Sequence, residues 1–317
     1  MDGLLVVDKP AGPTSHDVVA RMRRVLRERR IGHTGTLDPM ATGVLALVVG
    51  RATRLARFLS SSDKSYEAVV RLGFATDTGD ALGAPLGSSS QGPFPSREAI
   101  DVALDAFRGT FMQQPPAFSA KMIDGKRSHK LARAARLKPR APVSSPPDLP
   151  DPVSVTTHAI ELLSIDDDRV TLRVECSAGF YVRSLAHDLG ERLGTGAHLA
   201  ALRRTRSGDV TLDHAIALDA AERDPAGTAS RIIPLAGLLT GLDAVVLNEE
   251  GVRRVVHGRE VGPGFGMRDS GFERPDEPRF PNPESRVYRL LDEAGSLVAI
   301  GRPASTPGLL HPSIVLV

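Results

Sequence analysis

The sequence predicts an α+β fold: a mixed, mainly antiparallel central sheet flanked by helices, followed by a small C-terminal β-barrel-like module. Three observations predict it. Strand-like apolar segments alternate with helix-period segments, but without the regular rhythm that a doubly wound parallel sheet requires. At 317 residues the chain is longer than one core usually organises, so two units are expected, 1–233 and 234–317. The second unit carries a hairpin pattern, residues 287–291 and 296–300 around Asp292-Glu293-Ala294-Gly295.

Residues 3–7 read as the first strand. Thr14 followed by Asp17 makes a capping-box start for a helix with Val18, Met22, Val25 and Leu26 on its apolar face. Residues 44–49 form an unbroken apolar run that suits a buried strand, and residues 51–59 suit a short helix. Tyr66, Ala68, Val70, Leu72 and Phe74 alternate, so Tyr66 opens a strand. Residues 82–95 are a Gly/Ser/Pro-rich loop, after which Ser96 caps a helix running through Ile100, Leu104 and Phe107. Pro115-Pro116 ends that unit, and the proline-rich tract 139–152 cannot hold regular structure. Val170, Leu172, Val174 and Cys176 alternate as a strand. A Ser-Ala-Gly turn follows, then a helix spaced by Val182, Leu185, Ala186, Leu189 and Leu193 with Arg183 at its entrance. The second unit holds a helical stretch near 251–256 and a Gly/Pro-rich insertion at 262–283.

Composition narrows the function classes. Hydrophobic residues make up 41% and charged residues 25%, as in globular proteins, and no apolar run approaches the roughly 18 residues of a membrane span. The first ten residues lack the basic region of a secretory leader, and Cys176 is the single cysteine, so a reducing cytoplasm is expected. The net charge of +2 hides clustering. Residues 21–30 carry six arginines against Glu28, residues 121–140 eight Lys/Arg against Asp124, and Arg203, Arg204 and Arg206 form a third cluster. Three such clusters point to a phosphate backbone as partner.

The segment Gly32-His33-Thr34-Gly35-Thr36-Leu37-Asp38-Pro39-Met40-Ala41-Thr42-Gly43 places one acid in a loop of glycines and threonines. Its glycines allow positive φ, and Pro39 keeps Asp38 out of regular structure. No HExxH, Cys/His ligand cluster, GxxxxGK[ST] or strand-borne GxGxxG is present.

These residues resemble the TruB-type pseudouridine synthases, which modify uridine 55 in the T loop of transfer RNA. The resemblance rests on residues 8–15 (DKPAGPTS), the 32–45 loop, 64–68 (KSYEA), 76–80 (TDTGD), 115–120 (PPAFSA), 179–185 (GFYVRSL) and 202–205 (LRRT). Phe180 stands where the family often has threonine, and His129 where it commonly has tyrosine. The resemblance implies a pseudouridine-synthase fold with a PUA-type C-terminal domain, and Asp38 as nucleophile. It further implies Tyr66 stacked on the target base, Arg183 paired with Asp38, and Tyr181, Leu202 and His33 lining the nucleotide pocket or aiding base extrusion. Asp80 is counted with these nucleotide-site residues as a further member of the Asp38 and Arg183 network, with a plain turn residue as the other reading. Lys9, Lys121, Lys126, Arg127, Arg203 and Arg204 are the candidate RNA-backbone contacts. The implied partner is the T loop and stem of transfer RNA, bound by a monomer without a protein partner.

The residue types suit that reaction. Uridine isomerisation breaks the bond from ribose C1′ to N1 and rejoins the base through C5 without change of redox state. Neither a metal nor a coenzyme is therefore expected, in agreement with the missing motifs. An ionised carboxylate can act as a covalent nucleophile. A neighbouring arginine favours the charged form and orients it with a planar fork. Attack at C6, attack at C1′ and assisted glycal formation all fit one such carboxylate. A tRNA-folding chaperone without catalysis would use the same basic surfaces with no need for an ionised Asp38. A two-carboxylate hydrolase of nucleosides would recruit Asp80 as second acid and leave the basic clusters idle.

Overall fold

Two apolar runs organise the molecule. Gly3–Lys9 and Thr42–Val49 pair antiparallel from Gly3 opposite Val49 to Lys9 opposite Gly43. Leu5, Val7, Leu45, Leu47 and Val49 enter the main core with Val18 and Met22 of the Ser15–Val25 helix. Leu4, Val6, Val44, Ala46 and Val48 enter a second core shared with Leu297, Ile300 and Leu316 of the C-terminal region. Both faces are covered, which is why these strands read as unbroken apolar runs.

The structure is a computed structural model that describes residues 1–87, 92–119, 121–123, 125–128, 131, 149–265, 268–269 and 287–317. His129, residues 139–148 of the proline-rich tract, and residues 266–267 and 270–283 of the insertion lie outside the described residues. The central sheet runs in the order Ile216–Ala217, Gly3–Lys9, Thr42–Val49, Ala197–Ser207, Lys64–Leu72, Arg169–Cys176, Val153–Asp166, Gly109–Gln113. Ile216–Ala217 with Gly3–Lys9, and Thr42–Val49 with Ala197–Ser207, are parallel; the other neighbours along this path are antiparallel. The sheet is therefore mixed and mainly antiparallel, as expected.

The expected caps form. Thr14 and Asp17 bond each other's backbone N–H at the helix start, and Ser96 accepts from the Ala99 N–H ahead of Arg97–Leu104. Residues 51–59 divide into a 3-10 turn, Gly50–Leu55, and a short α-helix, Ala56–Ser60. The sequence reading missed Gly109–Gln113, Val153–Asp166 and Ala197–Ser207. The last is rich in Ala, Leu and Arg, which favour helix. Its place between Thr42–Val49 and Lys64–Leu72 overrides that preference by pairing along both edges.

The C-terminal unit is a five-stranded sheet in the order Arg268–Asp269, Ala244–Val246, Tyr288–Leu291, Leu297–Pro303, Leu310–Val315, and no closed barrel forms among the described residues. The hairpin closes where expected, with the Asp292 N–H donating to the Ser296 carbonyl at 3.0 Å. Glu249–Val256 packs there as an Asn248-capped helix.

Gly43 marks a close approach of two central strands. Its φ is +98°, and a Cβ there would stand 2.2 Å from the Arg204 carbonyl oxygen. Gly43→Ala should therefore destabilise the fold by about 2–4 kcal/mol through backbone strain and steric conflict. A urea midpoint equal to that of the unaltered chain would contradict this packing.

Candidate active site

The loop bearing Asp38 is irregular, so its backbone groups need partners outside regular structure. The segment from Lys9 to Ser15 supplies them. The Lys9 ammonium donates to the carbonyls of Pro10 (2.9 Å), Pro39 (3.2 Å) and Ala41 (2.7 Å). The Gly12 N–H also donates to the Pro39 carbonyl at 2.8 Å. Ser15 Oγ donates to the Leu37 carbonyl at 3.0 Å and accepts from the Leu37 N–H at 2.8 Å, so the residue before Asp38 is held on both sides. Arg204 closes the other flank, with Nε on the Val44 carbonyl at 2.7 Å and Nη2 on the Gly35 carbonyl at 3.0 Å.

Arg183 meets Asp38 from a distant part of the chain. Its Nε lies 2.8 Å from Asp38 Oδ2, and its Nη2 donates to Asp38 Oδ1 at 3.2 Å, a two-point contact. Nη1 donates to the Thr78 carbonyl at 3.0 Å and Nη2 to the Phe118 carbonyl at 2.8 Å. The arginine is thus anchored to the backbone independently of its partner. Its side chain is only 6% exposed whereas that of Asp38 keeps 30%, so the carboxylate is the open member of the pair.

Tyr66 is buried on the Lys64–Leu72 strand opposite Arg204. Burial pushes its phenol up, the buried Arg204 cation acts against that rise, and the charge of Asp38 adds to it. Tyr181 caps the Val182–Arg192 helix by position, without a side-chain cap bond. Burial raises its phenol too, against the Ser119 hydroxyl and the Arg183 charge, and Asp38 again reaches it. Leu202 is buried opposite Ala68 and, with Tyr66, belongs to the main core. His33 packs edge-on against His16 at 5.3 Å. Burial, then the charges of His16 and Arg204, push its imidazole down to about 4, so it is neutral at neutral pH.

Several expected roles do not fit the geometry. Lys9 is fully buried, and its three ammonium donors go to three carbonyls, which leaves none for an RNA phosphate. Burial lowers it to about 8, against the pull of Asp38. Arg204, 1% exposed, likewise gives its hydrogen bonds to internal carbonyls and to the Tyr66 hydroxyl. Charge counting could not see that either cation is enclosed. Asp80 makes no direct bond to Asp38 or Arg183; its Oδ1 accepts from Thr78 Oγ1 at 2.7 Å and the Leu82 N–H at 3.0 Å. It therefore shapes the turn whose Thr78 carbonyl holds Arg183. The third cluster is largely consumed internally: Arg203 grips both oxygens of Asp8 (3.1 and 2.8 Å) and Arg206 pairs with Glu175. Arg203 stays partly exposed beside a cavity of about 310 Å³ that Asp8, Lys9, Thr42 and Arg21 also line and Asp38 does not. Lys126 is exposed and Lys121 half-buried at the Met122–Ile123 and Lys126–Arg127 hairpin.

Sequence reasoning assigned no role to Ser15, Thr78, Gln113 or Lys64, although motifs quoted for the resemblance include Ser15, Thr78 and Lys64. Lys64 is buried, with Nζ on the Ser60 carbonyl at 2.6 Å and also bonded to Ser62, and burial lowers it to about 8. Among the described residues, no group of three or more His, Cys, Asp or Glu side chains is placed to hold a metal ion. No helix there is long and apolar enough to cross a membrane.

Comparison with known proteins finds relatives that align along the whole chain. Residues 23–182 match the TruB family pseudouridylate synthase N-terminal domain, and residues 183–246 the tRNA pseudouridylate synthase B C-terminal domain. A tRNA pseudouridine synthase B of Solibacter usitatus is 40% identical over 100% of both chains. One from Aromatoleum aromaticum is 46% identical over 78% of this chain and 74% of its own. Among solved structures, the crystal structure of a Cbf5-Nop10-Gar1 complex contains a chain with a TM-score of 0.70 and 27% identity, covering 99% of this chain and 85% of that one. The chain belongs to the TruB family of pseudouridylate synthases, which are isomerases.

Proposed function

We propose that the chain converts uridine 55 in the T loop of transfer RNA to pseudouridine, with Asp38 as nucleophile toward a uridine swung out of its stack. The observation that carries this reading is the two-point Arg183 contact to a carboxylate that stays open to solvent. The uridine-to-pseudouridine change breaks the C1′ to N1 bond, forms the C1′ to C5 bond, releases the C5 proton and returns a proton to N1. It needs an anionic oxygen held in place, not a redox centre.

Arg183 supplies orientation and charge, and because Thr78 and Phe118 hold it, the pair is arranged before RNA arrives. Tyr66 offers a flat face to the base, where stacking contributes about 1–3 kcal/mol. Tyr181 and Leu202 line the same side, and His33, neutral at neutral pH, supports extrusion of the base at a cost of a few kcal/mol. Arg203, Lys121, Lys126 and Arg127 are the proposed contacts to RNA backbone. Residues 1–233 form the catalytic unit and 234–317 a PUA-type RNA-binding unit. The chain works in the cytoplasm as a monomer, without a cofactor or protein partner, on a substrate that its relatives' names share.

Asp38→Asn keeps the side-chain volume and leaves Arg183 on its backbone anchors. It should abolish pseudouridine formation while transfer-RNA affinity stays within a few-fold. Activity near that of the unaltered protein would refute the nucleophile assignment. Arg183→Lys keeps the charge but loses the two-point contact, so turnover should fall on the order of 100-fold. An unimpaired lysine variant would remove the fork geometry from the account.

A further inference from the structure

Arg183 reaches Asp38 from the first turn of the Val182–Arg192 helix, and the charge of Asp38 is felt at the cap residue Tyr181. That helix start lacks the usual device for fixing it. Tyr181, at the cap position, has φ −113° and ψ 109° and makes no side-chain cap bond. Its backbone is held from elsewhere. Gln113 Oε1 accepts from the Tyr181 N–H at 2.8 Å, and Gln113 Nε2 donates to the Tyr181 carbonyl at 3.1 Å. One carboxamide thus engages both backbone polar groups of a single residue, as a neighbouring strand would. The same carbonyl accepts the helix's own Leu185 N–H at 3.1 Å.

Gln113 is 1% exposed and ends the Gly109–Gln113 edge strand, where it sits opposite Val153. The segment that follows continues the grip. The Gln114 carbonyl accepts from Ser184 Oγ at 2.6 Å, and the Phe118 carbonyl accepts from Arg183 Nη2 at 2.8 Å. We propose that Gln113 is a positioning residue for catalysis: its carboxamide sets the register of the helix start and so aims Tyr181 and Arg183 at Asp38. The inference rests on the reading of Asp38 as the reacting group.

The requirement is geometric. Reacting groups need placement within about 0.5 Å and 10–20°, and a shift of about 1 Å costs on the order of 100-fold in rate. The Gln113 side chain touches neither Asp38 nor the guanidinium of Arg183 among the hydrogen bonds described, so its effect travels through the Tyr181 peptide.

The test uses Gln113→Met, which keeps length and loses both bonds, and Gln113→Glu, which keeps the acceptor for the Tyr181 N–H and loses the donor. Single-turnover rate at saturating enzyme and affinity for transfer RNA are measured on the full chain. Fluorine NMR is recorded after 3-fluorotyrosine labelling, since the chain has only three tyrosines, and the Tyr181 signal is identified with Tyr181→Phe. Gln113→Met should lower the rate by about 30- to 100-fold with affinity within threefold. The Tyr181 signal should move while those of Tyr66 and Tyr288 stay, and Gln113→Glu should fall between. An undiminished rate in folded Gln113→Met would overturn the proposal. So would a lowered rate with an unmoved Tyr181 signal, or with all three signals displaced, as a merely structural role would give. If Gln113→Met does not fold, Gln113→Glu decides: a reduced rate with a shifted Tyr181 signal supports the proposal, and an unreduced rate overturns it. Asp38→Asn run alongside separates the two readings. If Asp38→Asn is active, the site assignment fails. If it is inactive while Gln113→Met is unaffected, only the positioning claim fails.

Discussion

A buried guanidinium must satisfy its donors, and the structure around Asp38 depends on how Arg183 does so. Two donors reach the carboxylate, and two further bonds go to the carbonyls of Thr78 and Phe118. Those groups come from separate parts of the chain, so the site exists only once the fold has brought them together. Exposed ion pairs contribute about 0–1 kcal/mol, but losing one partner of a buried pair costs about 3–5 kcal/mol. Here the buried partner is the arginine and the accessible one is the acid. The arrangement leaves the anion available to a ligand while its counter-ion stays fixed.

The same logic explains the other enclosed cations. Lys9, Lys64 and Arg204 are all buried, and each gives hydrogen bonds to main-chain carbonyls. Burying a charge is costly unless it is well bonded, and both lysines are lowered to about 8 as a result. What the fold obtains is a loop without regular structure whose carbonyls are nevertheless satisfied. Ser15 adds its reciprocal pair on Leu37, so the residue before Asp38 has little freedom to move. A loop that holds one open carboxylate in place gains from such rigidity, even where the groups that confer it oppose stability.

Much of this was legible in the sequence. Alternation gave the strands bearing Tyr66 and Cys176, the Thr14 and Ser96 caps form as read, and the Gly-rich loop with its lone acid pointed to Asp38. The pairing of Asp38 with Arg183 came from the family resemblance, because no local pattern connects residues 145 positions apart. Ala197–Ser207 was hidden because its composition favours helix and its arginines read as a surface cluster, while burial between two strands is a property of the assembled sheet. Lys9 and Arg204 were misread for the same reason: a cation that binds phosphate and one that binds carbonyls look alike until enclosure is known. Asp80 was read with two roles open, and only the Thr78 and Leu82 contacts select the turn.

The central claim is that this site acts on one uridine displaced from the T loop. It is tested most directly with transfer RNA carrying tritium at C5 of its uridines, by following label release and mapping where it occurs. The account expects one equivalent of tritium to leave each molecule, all of it from a single T-loop uridine. Release from uridines elsewhere in the RNA, or pseudouridine in the T loop without release, would contradict it.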